Sequence, residues 1–185
     1  MSTSDASPAP RRGFPPILGE RPRVLILGSF PSPASLQRAE YYAHPRNAFW
    51  PIMARVLEFP ADAAYPARTR ALALAGIALW DVLAACARPG SSDGAILRAS
   101  EVENDLAGLV RDQPTIRRVL LNGGKAWTHW RRQRLAEAIP ARRLPATSPA
   151  LTIPFHAKLQ VWREALVEAG VVPSGSGGLR NEPEP

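Results

Sequence analysis

Four short apolar runs constrain this chain more than any other feature. Val24-Leu25-Ile26-Leu27 follows Arg23, and Gly76 opens Ile77-Ala78-Leu79-Trp80. Arg118 opens Val119-Leu120-Leu121, and a more polar fourth run spans Arg142 to Leu144. Runs this short cannot make helices of ordinary length. Near-continuous apolar character suits parallel strands covered on both faces. Strands are therefore predicted at Arg23–Leu27, Gly76–Trp80, Arg118–Leu121 and Arg142–Leu144.

Between these runs the hydrophobic period changes. Phe49, Ile52, Met53, Val56 and Leu57 recur at i, i+3, i+4, i+7 and i+8, one face of an amphipathic helix. Arg68 to Ala75 is rich in alanine and leucine and stops at Gly76. Ser100 stands three residues before Glu103, a capping-box spacing that predicts a helix to about Arg111. Gly124–Ala138 and His156–Ala169 complete the helical set. Strands alternating with helices predict an α/β fold, a three-layer α/β/α sandwich around a short, mainly parallel four-stranded central sheet. Ligands bind such folds beyond the carboxyl ends of the strands. Gly28–Ser32, Asp81, Asn122 and Ala146–Ala150 all fall at that edge.

Length and composition narrow the class. A chain of 185 residues suits one domain with a substantial core. Residues 1–20 are rich in Pro and Arg without periodicity and are expected to lack fixed structure; residues 173–185 read as a flexible tail. That leaves a folded domain over 21–172. The single cysteine, Cys86, excludes an internal disulfide, and no Cys/His spacing suggests zinc. No stretch approaches the roughly 20 apolar residues of a membrane span, and the N-terminus lacks a signal peptide's apolar core. The expectation is a cytoplasmic protein with no membrane contact, no metal and no cofactor. Its net charge of +7 suits a polyanionic partner, although arginine-rich chains also arise from GC-rich genomes.

Chemistry concentrates in one decapeptide, Tyr41-Tyr42-Ala43-His44-Pro45-Arg46-Asn47-Ala48-Phe49-Trp50. Aromatic faces stack on planar bases, an amide reads a base edge or positions water, and a guanidinium grips phosphate. Upstream, the first strand runs into Gly28-Ser29-Phe30-Pro31-Ser32. Downstream, Leu144-Pro145-Ala146-Thr147-Ser148-Pro149-Ala150 follows the fourth strand.

These three segments together resemble the uracil-DNA glycosylase superfamily, and most closely its hypoxanthine (deoxyinosine) branch. That branch carries G-S-[MF]-P-[GS], then Y-[YH]-x-H-P-R-N-x-F-W, then a late L-P-S-T-S-P-A loop. The first two match almost letter for letter, and the third departs at Ala146, where the branch has serine. The likeness runs from about Arg23 to Ala169 and makes 21–172 a glycosylase domain. It implies that Asn47 carries catalysis. Other branches place a catalytic Asp or Asn two residues after the motif glycine, where this chain has Phe30, which cannot orient water. Read from residue type alone, Asn47 is a helix N-cap rather than a catalyst.

The resemblance also implies a base pocket of Gly28, Ser29, Phe30, Tyr41, Phe49 and Asp81. Phe30 and Tyr41 are expected as walls, with the choice between Tyr41 and Tyr42 open. Asp81 ends the second strand where uracil-reading relatives carry asparagine. A carboxylate there accepts a base N–H, or else caps a following helix. His44 is expected in loop structure or phosphate contact, and Arg46 on phosphate or in solvent. Thr147, Ser148 and Pro149 resemble the loop that compresses the DNA strand. Lys158, near the start of the last helix, is expected to bind phosphate. Asn122-Gly123-Gly124-Lys125 lacks the remaining P-loop spacing, and Arg131–Arg134 reads as a solvated face.

The implied activity is monofunctional hydrolysis of a deaminated base from DNA, hypoxanthine first and uracil second, by a monomer. No lysine stands in the first two motifs, so strand nicking is not expected. The alternative is a non-catalytic nucleic-acid binder of the same fold, which Phe30 keeps open. Hydrolysis of free nucleosides is disfavoured by the basic charge and the absence of an acidic metal cluster.

Overall fold

The computed structural model describes residues 9–89, 93–133 and 139–173. In chain order its elements are β1 (Arg11–Arg12), β2 (Val24–Gly28), α1 (Pro33–Arg38), α2 (Phe49–Leu57) and α3 (Tyr65–Leu74). There follow β3 (Ile77–Asp81), β4 (Leu83–Cys86), two single 3-10 turns, β5 (Val102–Glu103) and α4 (Leu106–Asp112). The chain closes with β6 (Arg118–Asn122), α5 (Gly124–Arg132), β7 (Ala141–Leu144) and α6 (Phe155–Glu168).

Four parallel strands form the central sheet in the order β3-β2-β6-β7. Each lies within one residue of its sequence expectation; in the first three a continuous apolar run has nowhere else to be buried, whereas β7 buries only Leu144. Alternate residues serve opposite faces. Val24, Ile26, Ile77 and Leu79 pack with Phe49, Ile52 and Met53 of α2 and with Trp162 and Leu166 of α6. Leu25, Leu27, Val119 and Leu121 pack with Leu106 of α4 and with Ala126 and Trp130 of α5. The expected three layers are present.

Several local expectations differ. The capping box at Ser100 and Glu103 does not form. Asp105 caps α4, its Oδ1 accepting from the Gly108 N–H at 2.8 Å. Glu103 lies in β5 and binds His129 Nδ1 (2.8 Å) and Gln133 Nε2 (3.1 Å), so charged partners on α5 outcompete the local cap. Helix α1 was not foreseen; Ser32 Oγ caps it by accepting from the Ser35 N–H, and Pro33 presets its first turn. Helix α5 ends at Arg132, and residues 134–138 of the predicted Gly124–Ala138 helix lie outside the described residues.

The largest departure concerns the start of the chain. Residues 9–20 were expected to be unstructured, yet they form a strap along the molecule. β1 pairs antiparallel with β4 in a second, three-stranded sheet, β1-β4-β5. Gly13 N–H donates to the Ala84 carbonyl at 2.8 Å, and Ile17 exchanges two backbone hydrogen bonds with Leu79 (2.8 and 3.0 Å). Phe14 and Ile17 pack on the core. Backbone pairing plus two apolar anchors fixes a segment that has no periodic pattern. Residues 1–8 and 174–185, the ends of the predicted loose segments, lie outside the described residues.

Candidate active site

Register gathers the site. Gly28 pairs with Asp81, and Asn122 with Leu144. Because Leu27 faces Leu121, Asn122 stands level with Gly28. The row Asp81, Gly28, Asn122, Leu144 therefore crosses the carboxyl edge of the sheet. Above it opens a cavity of about 580 Å³, walled by Gly28–Ser32, Tyr41, Tyr42, His44, Arg46, Asn47, Asp81, Arg88, Asn122 and the loop 146–151. That size is ordinary for a small-molecule site.

The floor is Gly28 and Asp81. A Cβ on Gly28 would lie 2.3 Å from Asp81 Oδ1 and 2.8 Å from Tyr42 Oη, so only glycine fits. Asp81 is buried, and its carbonyl accepts from Asn104 Nδ2 at 2.8 Å. Its alternative as a helix cap fails, because strand β4 follows. Phe30 is also buried, with Gly13 behind its edge and the Arg88 guanidinium 5.6 Å from its ring centroid.

The decapeptide divides between core and cavity. Tyr42 holds a left-handed backbone (φ 54°), and its ring lies 6.3 Å from that of Tyr41, tilted by 41°. Tyr41 faces the core. Its hydroxyl donates to the Pro15 carbonyl (3.1 Å), its carbonyl accepts from Trp50 Nε1 (2.7 Å), and its ring meets Phe14 edge-on. Burial, then the Asp81 carboxylate, pushes its phenol well above the usual tyrosine range. Tyr41 thus reaches the wall as a core residue, while the half-buried Tyr42 presents its ring. Phe49 is corrected: it is fully buried, stacks under Tyr42 at 4.1 Å and contributes nothing to the cavity lining. The helical period that made it a core position wins over the motif.

His44 Nδ1 accepts from the Arg46 N–H (3.1 Å), and the His44 carbonyl accepts from the Asn47 N–H (2.9 Å). This tight turn sets Arg46 at the exposed rim. Asn47 Oδ1 accepts from the Phe49 N–H at 3.0 Å, satisfying a first-turn amide of α2. Its cap role is therefore real. Among the described residues Asn47 Nδ2 has no protein partner, and the residue lines the cavity.

The late loop is corrected at two positions. Thr147 was expected on DNA but is buried. Its N–H donates to Asn122 Oδ1 and its Oγ1 accepts from Asn122 Nδ2, both at 2.9 Å, while its carbonyl takes the Ala48 N–H. Lys158 was expected on phosphate but is also buried, and its Nζ donates to the Ser148 carbonyl at 3.1 Å. Burial lowers its pKa. Both residues hold the loop from inside. Ser148 and Pro149 remain half-buried on the cavity wall. Ala146 Cβ would stand 3.0 Å from a Cβ on Gly123, whose φ is +95°.

Sequence reasoning placed Asn122 at the edge but missed its clamp, and it missed Arg88 entirely. The register row exposes the first; no periodic signal marks the second. Among the described residues no His, Cys, Asp and Glu group could hold a metal ion. No helix there is long and apolar enough to cross a membrane.

No family model matches the chain. A hypoxanthine DNA glycosylase from Methanosarcina acetivorans is 40% identical over 117 residues, 63% of this chain and 73% of that protein. The chain belongs to the uracil-DNA glycosylase superfamily, in its hypoxanthine branch. A second hypoxanthine DNA glycosylase, from Methanosarcina barkeri, is 37% identical over the same shares of the two chains. A G/U mismatch-specific uracil DNA glycosylase from Schizosaccharomyces pombe is 31% identical over 55% of this chain but only 30% of its own length. The solution NMR structure of a candidate uracil DNA glycosylase from M. acetivorans aligns with TM-score 0.71 and 33% identity. It covers 84% of this chain and 98% of that one. Superfamily membership agrees with the four-stranded parallel sheet and with a cavity at its carboxyl edge.

Proposed function

We propose that this protein is a monofunctional DNA glycosylase that hydrolyses the N-glycosidic bond of a deaminated base, hypoxanthine first and uracil second. The observation that carries the reading is Asn47. Its Oδ1 is fixed by the Phe49 N–H, which turns its free Nδ2 into an oriented donor in the cavity wall.

The reaction starts outside the protein. A mismatched deaminated base leaves the stack more cheaply than a paired one. Extruded into the cavity, it stacks on Phe30, a contact worth about 1–3 kcal/mol. The Asp81 carboxylate accepts the ring N–H that hypoxanthine and uracil both carry. When the bond to C1′ breaks, its electrons pass to the base, and a sugar cation remains for water. Asn47 Nδ2 donates to the departing base, and the second lone pair of Oδ1 holds the attacking water. The chain has two lysines, Lys125 and Lys158; neither lines the cavity, which favours water over an amine as nucleophile. Arg46 at the rim takes a phosphate of the same strand, with Ser148 and Pro149 against its backbone. The catalytic unit comprises residues 21–172 with the strap before it, and one chain supplies every wall, which suits action as a monomer.

The test is excision from duplexes bearing one deoxyinosine or deoxyuridine. Asn47→Ala should lose at least about 100-fold in single-turnover rate, the scale for a positioned catalytic group. It should keep its melting temperature within a few degrees. Full activity with a clear loss of stability would leave Asn47 as a cap alone.

A further inference from the structure

We propose that Arg88 stabilises the negative charge that the departing base acquires, an inference that rests on the glycosylase reading above. Arg88 follows β4 and reaches back over the first motif. Its guanidinium lies 5.6 Å from the Phe30 ring centroid, donates to the Pro31 carbonyl and lines the cavity. The backbone beneath it is fixed on both sides of Ala87, whose N–H donates to Ser100 Oγ (2.8 Å) and whose carbonyl accepts from the Leu97 N–H (2.9 Å). A guanidinium is planar, always charged and weakly hydrated, so it survives half-burial against an aromatic face with its charge intact.

The chemistry demands such a group. Heterolysis sends both electrons of the C1′–N bond to the base. Water oxygen then bonds to C1′, its proton leaves to solvent, and the base takes a proton from solvent, so the net change is hydrolysis. Until that proton arrives the base is an anion, in a cavity whose floor already carries the Asp81 carboxylate. A like charge in a partly desolvated site raises the barrier unless a cation in the same wall offsets it. Arg46 is exposed at the rim, whereas Arg88 is half-buried beside the ring that carries the base. Arg88 is the cation placed for the task.

The experiment compares parent, Arg88→Met and Arg88→Lys on duplexes carrying deoxyinosine or 2-fluorodeoxyinosine, whose base is a better leaving group. Single-turnover rates, binding and its salt dependence, and melting temperatures are measured for each, with rates read below every melting transition. Arg88→Met should lose about 100-fold on deoxyinosine, as when an oxyanion donor is removed. On the fluorinated base the loss should shrink to less than about tenfold, while binding changes little and Arg88→Lys recovers most of the rate. An equal loss on both bases would overturn the assignment and make Arg88 a support for Phe30 only. Weaker binding with a flatter salt slope and an unchanged rate would overturn it in favour of a phosphate contact. A parent that leaves both duplexes intact would overturn the glycosylase reading itself.

Discussion

Two segments line the cavity side by side, joined where the Ala48 N–H donates to the Thr147 carbonyl, and they are held in opposite ways. Tyr41–Trp50 is anchored by rings: Phe49 lies between Tyr42, Trp50 and Trp162, and Trp50 meets Tyr65 edge-on. The loop from Pro145 to Pro154 is held by polar contacts instead. Trp162 Nε1 donates to the Pro145 carbonyl (3.0 Å), Asn122 clamps Thr147, and Lys158 holds Ser148. Its apolar residues Leu151 and Ile153, and Phe155 at the start of α6 beside them, are 36–40% exposed. Aromatic anchorage spreads over many small contacts and belongs to the core, so damaging it should unfold the protein. A polar clamp concentrates in a few directional bonds, and damaging it should free one loop.

The first way to break the comparison is Phe49→Ala. It should cost about 3–5 kcal/mol in denaturant unfolding, the usual range for a fully buried phenylalanine. A cost under about 1 kcal/mol would show that the rings are not the anchor. Next comes Asn122→Ala, which leaves two polar groups of Thr147 without their partner. About 1–3 kcal/mol should be lost, and excision should fall more than tenfold with helix and sheet content intact by circular dichroism. Global unfolding instead would place the clamp in the core.

Smaller effects sharpen the contrast at the DNA surface. The slope of log affinity against log salt should be about −3 to −5 on inosine duplex. Arg46→Ala should flatten it by about one unit, as loss of one phosphate contact does. Lys158→Ala should leave the slope unchanged, because its ammonium faces the Ser148 carbonyl. A flattened slope there would restore the phosphate role expected from sequence. The smallest effect is a tilt with pH. Burial holds the Lys158 pKa below 10.5, so the unfolded chain binds that proton more tightly. The penalty is complete below the folded pKa and is relieved as pH rises towards 10.5. Over that window the parent should gain stability relative to Lys158→Met in denaturant series. Parallel curves would mean that Lys158 carries no burial penalty.

The sequence made the central sheet and α2 legible because both bury their side chains with a clear period. The edge residues Gly28, Asp81 and Asn122 followed from where those strands stop. What stayed hidden is held by bonds that leave no pattern. The strands β1 and β5 are two residues each and owe their form to pairing with β4. Asp105 rather than Ser100 caps α4 because Glu103 is taken by His129 and Gln133. The inward turn of Thr147 and Lys158 is likewise tertiary, since a hydroxyl and an ammonium read as solvent-facing until their partners are seen. The motif misled at Phe49, where period and burial agree on the core.

The strap over residues 9–20 has a consequence for the molecule's behaviour among copies of itself. A parallel sheet ends in two edge strands, each offering backbone groups that another chain could pair with. At β3 that invitation is withdrawn by Ile17 on Leu79 and by Trp80 Nε1 bonded to the Phe14 carbonyl. At β7 it is discouraged by charge: Arg142 pairs with Glu168 at 2.8 Å, and Arg143 stands exposed beside it. One edge is covered by the chain's own backbone and the other carries guanidinium groups, so strand addition to the sheet that carries the cavity is blocked at β3 and discouraged by charge at β7.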